Sequence, residues 1–200
     1  MGWPWQNPEI EDRSHAERKV LVAARNGDRS AFETLRRQHD EALRRFLLRR
    51  TAPQTVDDIL QETWIAAWRG LPRFGERSSF KAWLYAIAVH KCVNHHRTHS
   101  RQLQWETALE FDFAAPGSNS YDAAEMRQAV QSILASLVPQ QREVIELYYY
   151  DDLTLPEIAK VLQRNLNTVK YQFYRAHTMV TEELAELVPF AGRNGGWQKQ

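Results

Sequence analysis

Between Lys160 and His177 the chain carries four cations, Lys160, Arg164, Lys170 and Arg175, and no acid. Tyr171, Gln172 and Tyr174 are interleaved with the last two. Lys and Arg neutralise phosphate, and amide and guanidinium groups hydrogen-bond base edges, so the chemistry on offer is recognition of an anion such as DNA. An ordinary helical hairpin with a solvated basic face has the same composition.

Three other groups could do chemistry. Asp57, Asp58, Gln61 and Glu62 fall on one polar face, with Asp57 and Gln61, and Asp58 and Glu62, each one helical turn apart. An acidic patch in a basic stretch suits a basic protein partner, because DNA would repel it. The two aspartates also suit the positive end of their own helix. Phe80, Trp83 and Tyr85, with Lys81, Lys91, Arg97 and Arg101, interleave aromatic faces with cations, as single-stranded DNA requires. Captured, unstacked bases offset the stacking lost when a duplex opens without ATP. Trp83 and Ile87 are one turn apart, so at least one aromatic here belongs to a core. Finally, Cys92 with His96 and His95 with His99 have the i, i+4 spacing that can chelate zinc, beside His90. The same helix is the expected DNA surface, where histidine can face phosphate, and no metal site is assigned. Nowhere do a nucleophile, a base and an orienting acid come together, so no catalytic residue, cofactor or small-molecule substrate is expected.

Helices must position these groups. Thr154 and Glu157 predict a capping box, Pro156 sits in the first turn, and Leu155, Ile158, Ala159 and Leu162 form an apolar stripe. A turn follows, and Asn167 is the expected cap of a second helix with Val169, Phe173 and Ala176 inward and Lys170, Gln172, Tyr174 and Arg175 outward. That is a helix-turn-helix. Upstream, Ser14 and Glu17 predict a capping box for a helix ending near Gly27. Asp28 caps a longer helix to about Arg50, and Thr55 caps another to about Gly70, with Val56, Leu60, Trp64 and Ala67 or Trp68 at helical spacing. An Arg-, Gly- and Ser-rich loop covers 71–79, and a helix is predicted over 80–99. Residues 103–121 lack periodicity and contain Pro116 and Gly117, which reads as a linker. Three or four helices follow to about Leu187, one opened by Pro139, and the Gly-rich end is a frayed tail.

The net charge of +1 hides an asymmetry: residues 14–101 hold 17 Lys plus Arg against 9 Asp plus Glu, a balance of +8, and residues 102–200 hold 8 against 13, a balance of −5. The front half is the stronger electrostatic partner for nucleic acid, and the rear half relies on its local basic helix. One cysteine excludes an internal disulfide framework. No apolar run approaches the roughly 18 residues that span a bilayer. The start lacks the marks of a signal peptide, so a cytoplasmic location is expected.

Asp57-Asp58-Ile59-Leu60-Gln61-Glu62-Thr63-Trp64, then Ala67-Trp68-Arg69, Phe74 and residues 78–88, resemble the second conserved region of extracytoplasmic-function (ECF) sigma factors. Residues 137–144 and the helix-turn-helix behind them resemble that family's fourth region, and together the matches run over roughly 15–185 in the family's order. The resemblance implies an all-α bacterial transcription initiation subunit, not an enzyme. It would be a promoter-melting helical bundle and a helix-turn-helix domain joined by a flexible linker. The implied boundaries are an N-terminal extension 1–13, region 2 at 14–101, the linker 102–121, region 4 at 122–188 and a disordered tail 189–200.

By the same resemblance, core RNA polymerase docks on Asp57, Asp58, Gln61 and Glu62. The −10 element meets Arg73, Arg77, Ser79, Phe80, Lys81, Trp83, Lys91, Asn94 and Arg97, the loop 73–79 resembling the family's segment that holds a flipped base. The −35 element meets Asn167, Thr168, Lys170, Tyr171, Gln172, Tyr174 and Arg175. An anti-sigma factor, commonly membrane-linked, is a further implied partner. In the family the tether threads toward the polymerase active-site channel, and Glu106, Glu110 and Asp112 give it an acidic stretch; a plain solvated linker would look the same. The chain departs from the family at Gln163 and Asn167, where glycine is usual, at Arg164, where an apolar residue is common, and at Gln172, where arginine is frequent. The Trp3-Pro4-Trp5 start has no family counterpart. The alternatives are a one-component helix-turn-helix regulator with a ligand-sensing front half, which would bind DNA without polymerase and initiate nothing, and a metal-binding enzyme or sensor built on the His cluster.

Overall fold

The computed structural model describes the backbone of residues 8–76, 78–99 and 121–187, and the side chains of 17–76, 78–97 and 126–185. The described residues are all α-helical with short 3₁₀ turns and no strand. The helices are α1 (Pro8–Arg25), α2 (Arg29–Leu48), α3 (Val56–Gly70), α4 (Phe80–His99), α5 (Tyr121–Ser136), α6 (Pro139–Tyr149), α7 (Leu155–Val161) and α8 (Leu166–Leu187). They divide into two compact units, one built on α1 to α4 and the other on α5, α6, α8 and most of α7. Residues 102–120 of the expected linker, the tail 189–200, residues 1–7, Arg77 and Arg101 lie outside the described residues, and Tyr121, placed at the linker's end by the sequence, is instead the first residue of α5.

In the front unit α2, α3 and α4 share a core in which Leu35, Leu43, Phe46 and Leu47 meet Ile59, Leu60 and Trp64 and then Leu84, Tyr85 and Ala88. Phe46 and Tyr85 lie ring to ring at 4.4 Å. The α1–α2 corner turns on Gly27, whose φ of +95° suits a residue without Cβ, and Asp28 Oδ1 then accepts from the amides of Ser30 and Ala31 at 2.8 and 3.1 Å.

The predicted start of α1 is corrected. The helix begins at Pro8 and runs through Ser14, so Ser14 is no cap. Glu17 is spent on a tertiary contact: its Oε1 lies 3.3 Å from Nε2 of His39 on α2. The bond to His39, helped by the charge of nearby Lys81, holds the Glu17 carboxyl below its ordinary value against the opposing effect of burial. A depressed carboxylate stabilises above its unfolded pKa, and that stabilisation is lost as pH falls through the folded one. Unfolding midpoints of Glu17→Gln should therefore differ less between pH 7 and about pH 3 than those of the parent chain.

The cap of α3 is also corrected. Thr55 makes no side-chain cap bond, because its hydroxyl donates to the Ala52 carbonyl at 2.8 Å and meets Thr51 Oγ1 at 2.7 Å in a 3₁₀ turn over Pro53–Thr55. Asp57 and Asp58, in the first turn of α3, supply the negative charge that a helix start favours. Ser79 Oγ accepts from the Ala82 amide at 3.1 Å and starts α4.

In the rear unit α8 packs along α6 and α5. Val144, Ile145, Leu147 and Ile158 are buried, as are the predicted inward residues Val169, Phe173 and Ala176. Pro139 opens α6, as the sequence indicates. Among the described residues no helix is long and apolar enough to cross a membrane.

Candidate nucleic-acid and polymerase interfaces

Asp57, Asp58, Gln61 and Glu62 all lie exposed on α3, with Leu60 and Trp64 of the same helix in the core. Asp57 is met by Arg44 of α2 at 2.7 Å, and Glu62 by Nζ of Lys91 on α4 at 3.0 Å. Asp58 has no ion pair among the described residues. Arg44 is absent from the sequence-derived set, since no local signal links it to a residue on the next helix.

Beside these acids runs an open groove of about 690 Å³ whose floor is Phe32, Leu60, Trp64, Ile65 and Trp68. Phe32 meets Trp68 at 4.8 Å and the edge of Trp64 at 5.8 Å, and the indole of Trp64 donates to Asp40 Oδ1 at 2.9 Å. Ile65 is 44% exposed. The face therefore combines acids with accessible apolar surface, the mixture from which protein interfaces are made.

The candidate −10 residues separate by depth. Phe80 is 3% exposed and packs against Phe74, Trp83 and His39 at ring distances of 6.3, 5.8 and 5.3 Å. Its expected place as a stacking platform is corrected: the first residue of α4 points into the junction of α2, the preceding loop and α4, so its faces are taken by protein. Tyr85 is fully buried. Trp83 remains half-buried against Phe74 at 4.9 Å and over Gly70, where an added Cβ would stand 3.1 Å from the indole. Arg73, Ser79, Asn94 and Arg97 are exposed; Lys81 is half-buried over Tyr85 at 5.9 Å, and Asn94 hydrogen-bonds His90 at 3.0 Å. Lys91 is half-buried through its pair with Glu62.

The loop before α4 is tied from behind. Glu76, at φ +51°, accepts from Arg25 at 2.7 Å and pairs with Arg18 at 3.5 Å. No sequence pattern pointed to this clasp between α1 and the loop.

Of the His/Cys cluster, the His99 side chain lies outside the described residues, and the others do not converge. Cys92 is buried, which pushes its thiol up to about 11, and His96 Nε2 lies 3.2 Å from the Arg50 carbonyl oxygen. No three His, Cys, Asp or Glu side chains gather as metal ligands among the described residues.

In the rear unit the capping box closes in a different sense from that expected. Glu157 Oε2 accepts both from the Thr154 amide at 3.0 Å and from the Thr154 hydroxyl at 2.8 Å. After α7, the Arg164 amide donates to the Ala159 carbonyl at 2.9 Å, and Gln163 takes the left-handed position at φ +52°. Glycine adopts that conformation without the Cβ penalty. Gln163→Gly should stabilise the rear unit by about 0.5–1 kcal/mol, read as a higher urea midpoint.

Asn167 is not the cap of α8. That helix starts at Leu166, and Asn165 Oδ1 accepts from the Asn167 amide at 2.8 Å. Two asparagines stand two residues apart, and composition does not say which one caps. The released Asn167 side chain joins Thr168, Lys170, Tyr171, Tyr174 and Arg175 on the exposed face of α8, with Tyr171 and Tyr174 63% and 61% exposed. Gln172 is half-buried at the edge of that face and accepts from Arg164 Nη1 at 3.4 Å. Two residues that depart from the family's pattern are thus partners, and Glu143 of α6 anchors them by accepting from Arg164 Nη2 at 2.5 Å.

Residues 35–102 match Sigma-70 region 2 and residues 127–178 match Sigma-70, region 4. The chain is 32% identical over 187 residues to the RNA polymerase sigma factor CnrH of Cupriavidus metallidurans, covering 88% of this chain and 95% of that one. It is 29% identical over 182 residues to the ECF RNA polymerase sigma-E factor of Escherichia coli, covering 85% and 95%. Among solved structures it is similar to CnrH in complex with the cytosolic domain of CnrY, with a TM-score of 0.57 and 27% identity over 86% of this chain and 98% of that one. With both conserved regions matched in order and a relative above 30% identity over nearly its whole length, the chain belongs to the ECF sigma factors of the sigma-70 type.

Proposed function

We infer that this chain is an alternative sigma factor that binds bacterial core RNA polymerase, brings it to specific promoters and helps to open the −10 element. The observation that carries this reading is the combination of an exposed acidic and apolar face on α3 with an outward-facing, acid-free first half of α8, residues 166–178, each inside a matched sigma region.

Asp57, Asp58, Gln61 and Glu62 form the polymerase-docking face. Arg73, Arg77, Ser79, Lys81, Trp83, Lys91, Asn94 and Arg97 face the −10 strand, Trp83 supplying the aromatic surface and Phe80 its support. Asn167, Thr168, Lys170, Tyr171, Gln172, Tyr174 and Arg175 read the −35 element. The functional modules are residues 14–101 and 121–188, with 102–120 as the tether. The chain acts in the cytoplasm, catalyses no reaction itself and is held inactive by an anti-sigma factor. Support for that last partner is the similarity to CnrH, a structure of which contains the cytosolic domain of CnrY.

Run-off transcription with purified bacterial core polymerase on a library of genomic fragments tests the reading. Defined start sites that depend on the added chain are expected. Association with polymerase without any directed start would overturn it, and sequence-specific DNA binding with no polymerase association would favour a one-component regulator instead.

A further inference from the structure

Arg164 stands in the turn between α7 and α8 and is held from two sides. Its Nη2 donates to Glu143 Oε2 at 2.5 Å, and its Nη1 donates to Gln172 Oε1 at 3.4 Å. The Arg164 and Glu143 side chains are only 28% and 21% exposed, so the charge-assisted pair fixes the guanidinium fork in a sheltered place. A guanidinium only donates, and the amide atom of Gln172 that faces it is therefore the oxygen. The amide N–H groups of Gln172 are left to other partners. Gln172 follows exposed Thr168 by one turn and precedes exposed Arg175 by three residues, at the edge of the face assigned to DNA.

A glutamine with both amide atoms available pairs bidentately with adenine, accepting from N6 and donating to N7. A glutamine whose oxygen is turned toward a fixed guanidinium keeps one lone pair but no longer presents that oxygen and its N–H groups side by side to one base, so it meets the base chiefly as a donor. Donors match guanine, which offers N7 and O6 side by side, or thymine, which offers O4; adenine sets its N6 donor beside the N7 acceptor, and cytosine presents a donor of its own.

We propose that Glu143, Arg164 and Gln172 form a relay that orients the Gln172 amide, oxygen toward Arg164 and N–H groups outward, so that Gln172 reads the −35 element as a donor. Arg164 is its positioning residue, and the relay selects guanine or thymine against adenine at the base that Gln172 faces. The proposal rests on the rear unit being the −35 reader. Arg164 acts through Gln172 and touches no base in this scheme.

The test uses holoenzyme assembled from the full chain and purified core polymerase, selecting from promoters randomised across the upstream element. Five chains are compared: the parent, Q172A, R164A, R164K and R164A/Q172A. Q172A should flatten one position at which the parent prefers guanine or thymine. R164A should shift that position toward adenine by about three- to tenfold, the scale set by gaining one bidentate contact, and leave the other positions alone. R164K keeps the charge beside Glu143 but lacks the planar fork, so it should shift the same position while its thermal midpoint stays near the parent's. In the Q172A background the Arg164 substitution should have no further effect. An R164A profile that changes at no position, that weakens every position equally, or that shifts equally with Gln172 already removed, overturns the relay. A parent holoenzyme with no base preference anywhere upstream overturns the −35 assignment instead.

Discussion

Reversal of Asp58 and Glu62 together to lysine is expected to weaken core-polymerase binding by about a hundredfold, because each reversed charge faces a basic partner and like-charge contact costs several kcal/mol. Asp58 has no ion pair among the described residues, and Glu62 holds only an exposed pair with Lys91, the kind that contributes about 0–1 kcal/mol. The double variant should accordingly unfold within a few degrees of the parent while its affinity falls. Titration of labelled chain with core polymerase reads the affinity, and circular dichroism reads the fold. Asp57 is the weaker choice, since Arg44 already answers its charge within the unit. Unchanged affinity in the double variant would remove α3 from the interface and leave the Phe32, Ile65 and Trp68 groove without its electrostatic partner.

The second large effect concerns Phe80. Truncation to alanine should cost about 3–5 kcal/mol of stability, the range for a buried aromatic whose site cannot fully collapse. Phe74, Trp83 and His39 surround the ring, and Gly70 already admits the Trp83 indole to within 3.1 Å of where a Cβ would stand, so the cluster has little slack. Chemical denaturation of the full chain followed by tryptophan fluorescence measures the loss. A base-stacking residue would behave in the opposite way: Phe80→Ala would unfold like the parent within about 0.5 kcal/mol and lose only affinity for −10 DNA. The two outcomes separate packing from stacking at this position.

What the sequence made legible follows from how local each signal is. The helical spacing of Val56, Leu60 and Trp64, the break before Pro53, the loop before Phe80 and the inward triad Val169, Phe173 and Ala176 depend on neighbours within a turn or two, and the structure carries them as expected. Interactions that cross between helices were not legible. Glu17 looked like half of a capping box because Ser14 precedes it at the right interval, yet His39 of the next helix holds it. Thr55 looked like a cap, but a 3₁₀ turn occupied its hydroxyl first. Phe80 looked like a platform because cations surround it in sequence, whereas in space it is surrounded by rings. The exposed acids of α3 and the exposed cations and tyrosines of α8 were readable because surface polarity opposite an apolar stripe is itself a periodic signal. The coupling of Arg164 to Gln172 and Glu143 was not, since Glu143 is 21 residues away from Arg164.

The clasp from Arg18 and Arg25 to Glu76 has a consequence for how the molecule can be divided. Both arginines sit on α1, upstream of residue 35 where the region 2 match starts, but the carboxylate they grip belongs to the loop that leads into Phe80 and Trp83. A version of the chain trimmed to the matched residues would keep every side chain assigned to the −10 strand and lose the guy-line that holds their approach. The leading helix thus serves as scaffolding for a contact surface to which it contributes no assigned residue.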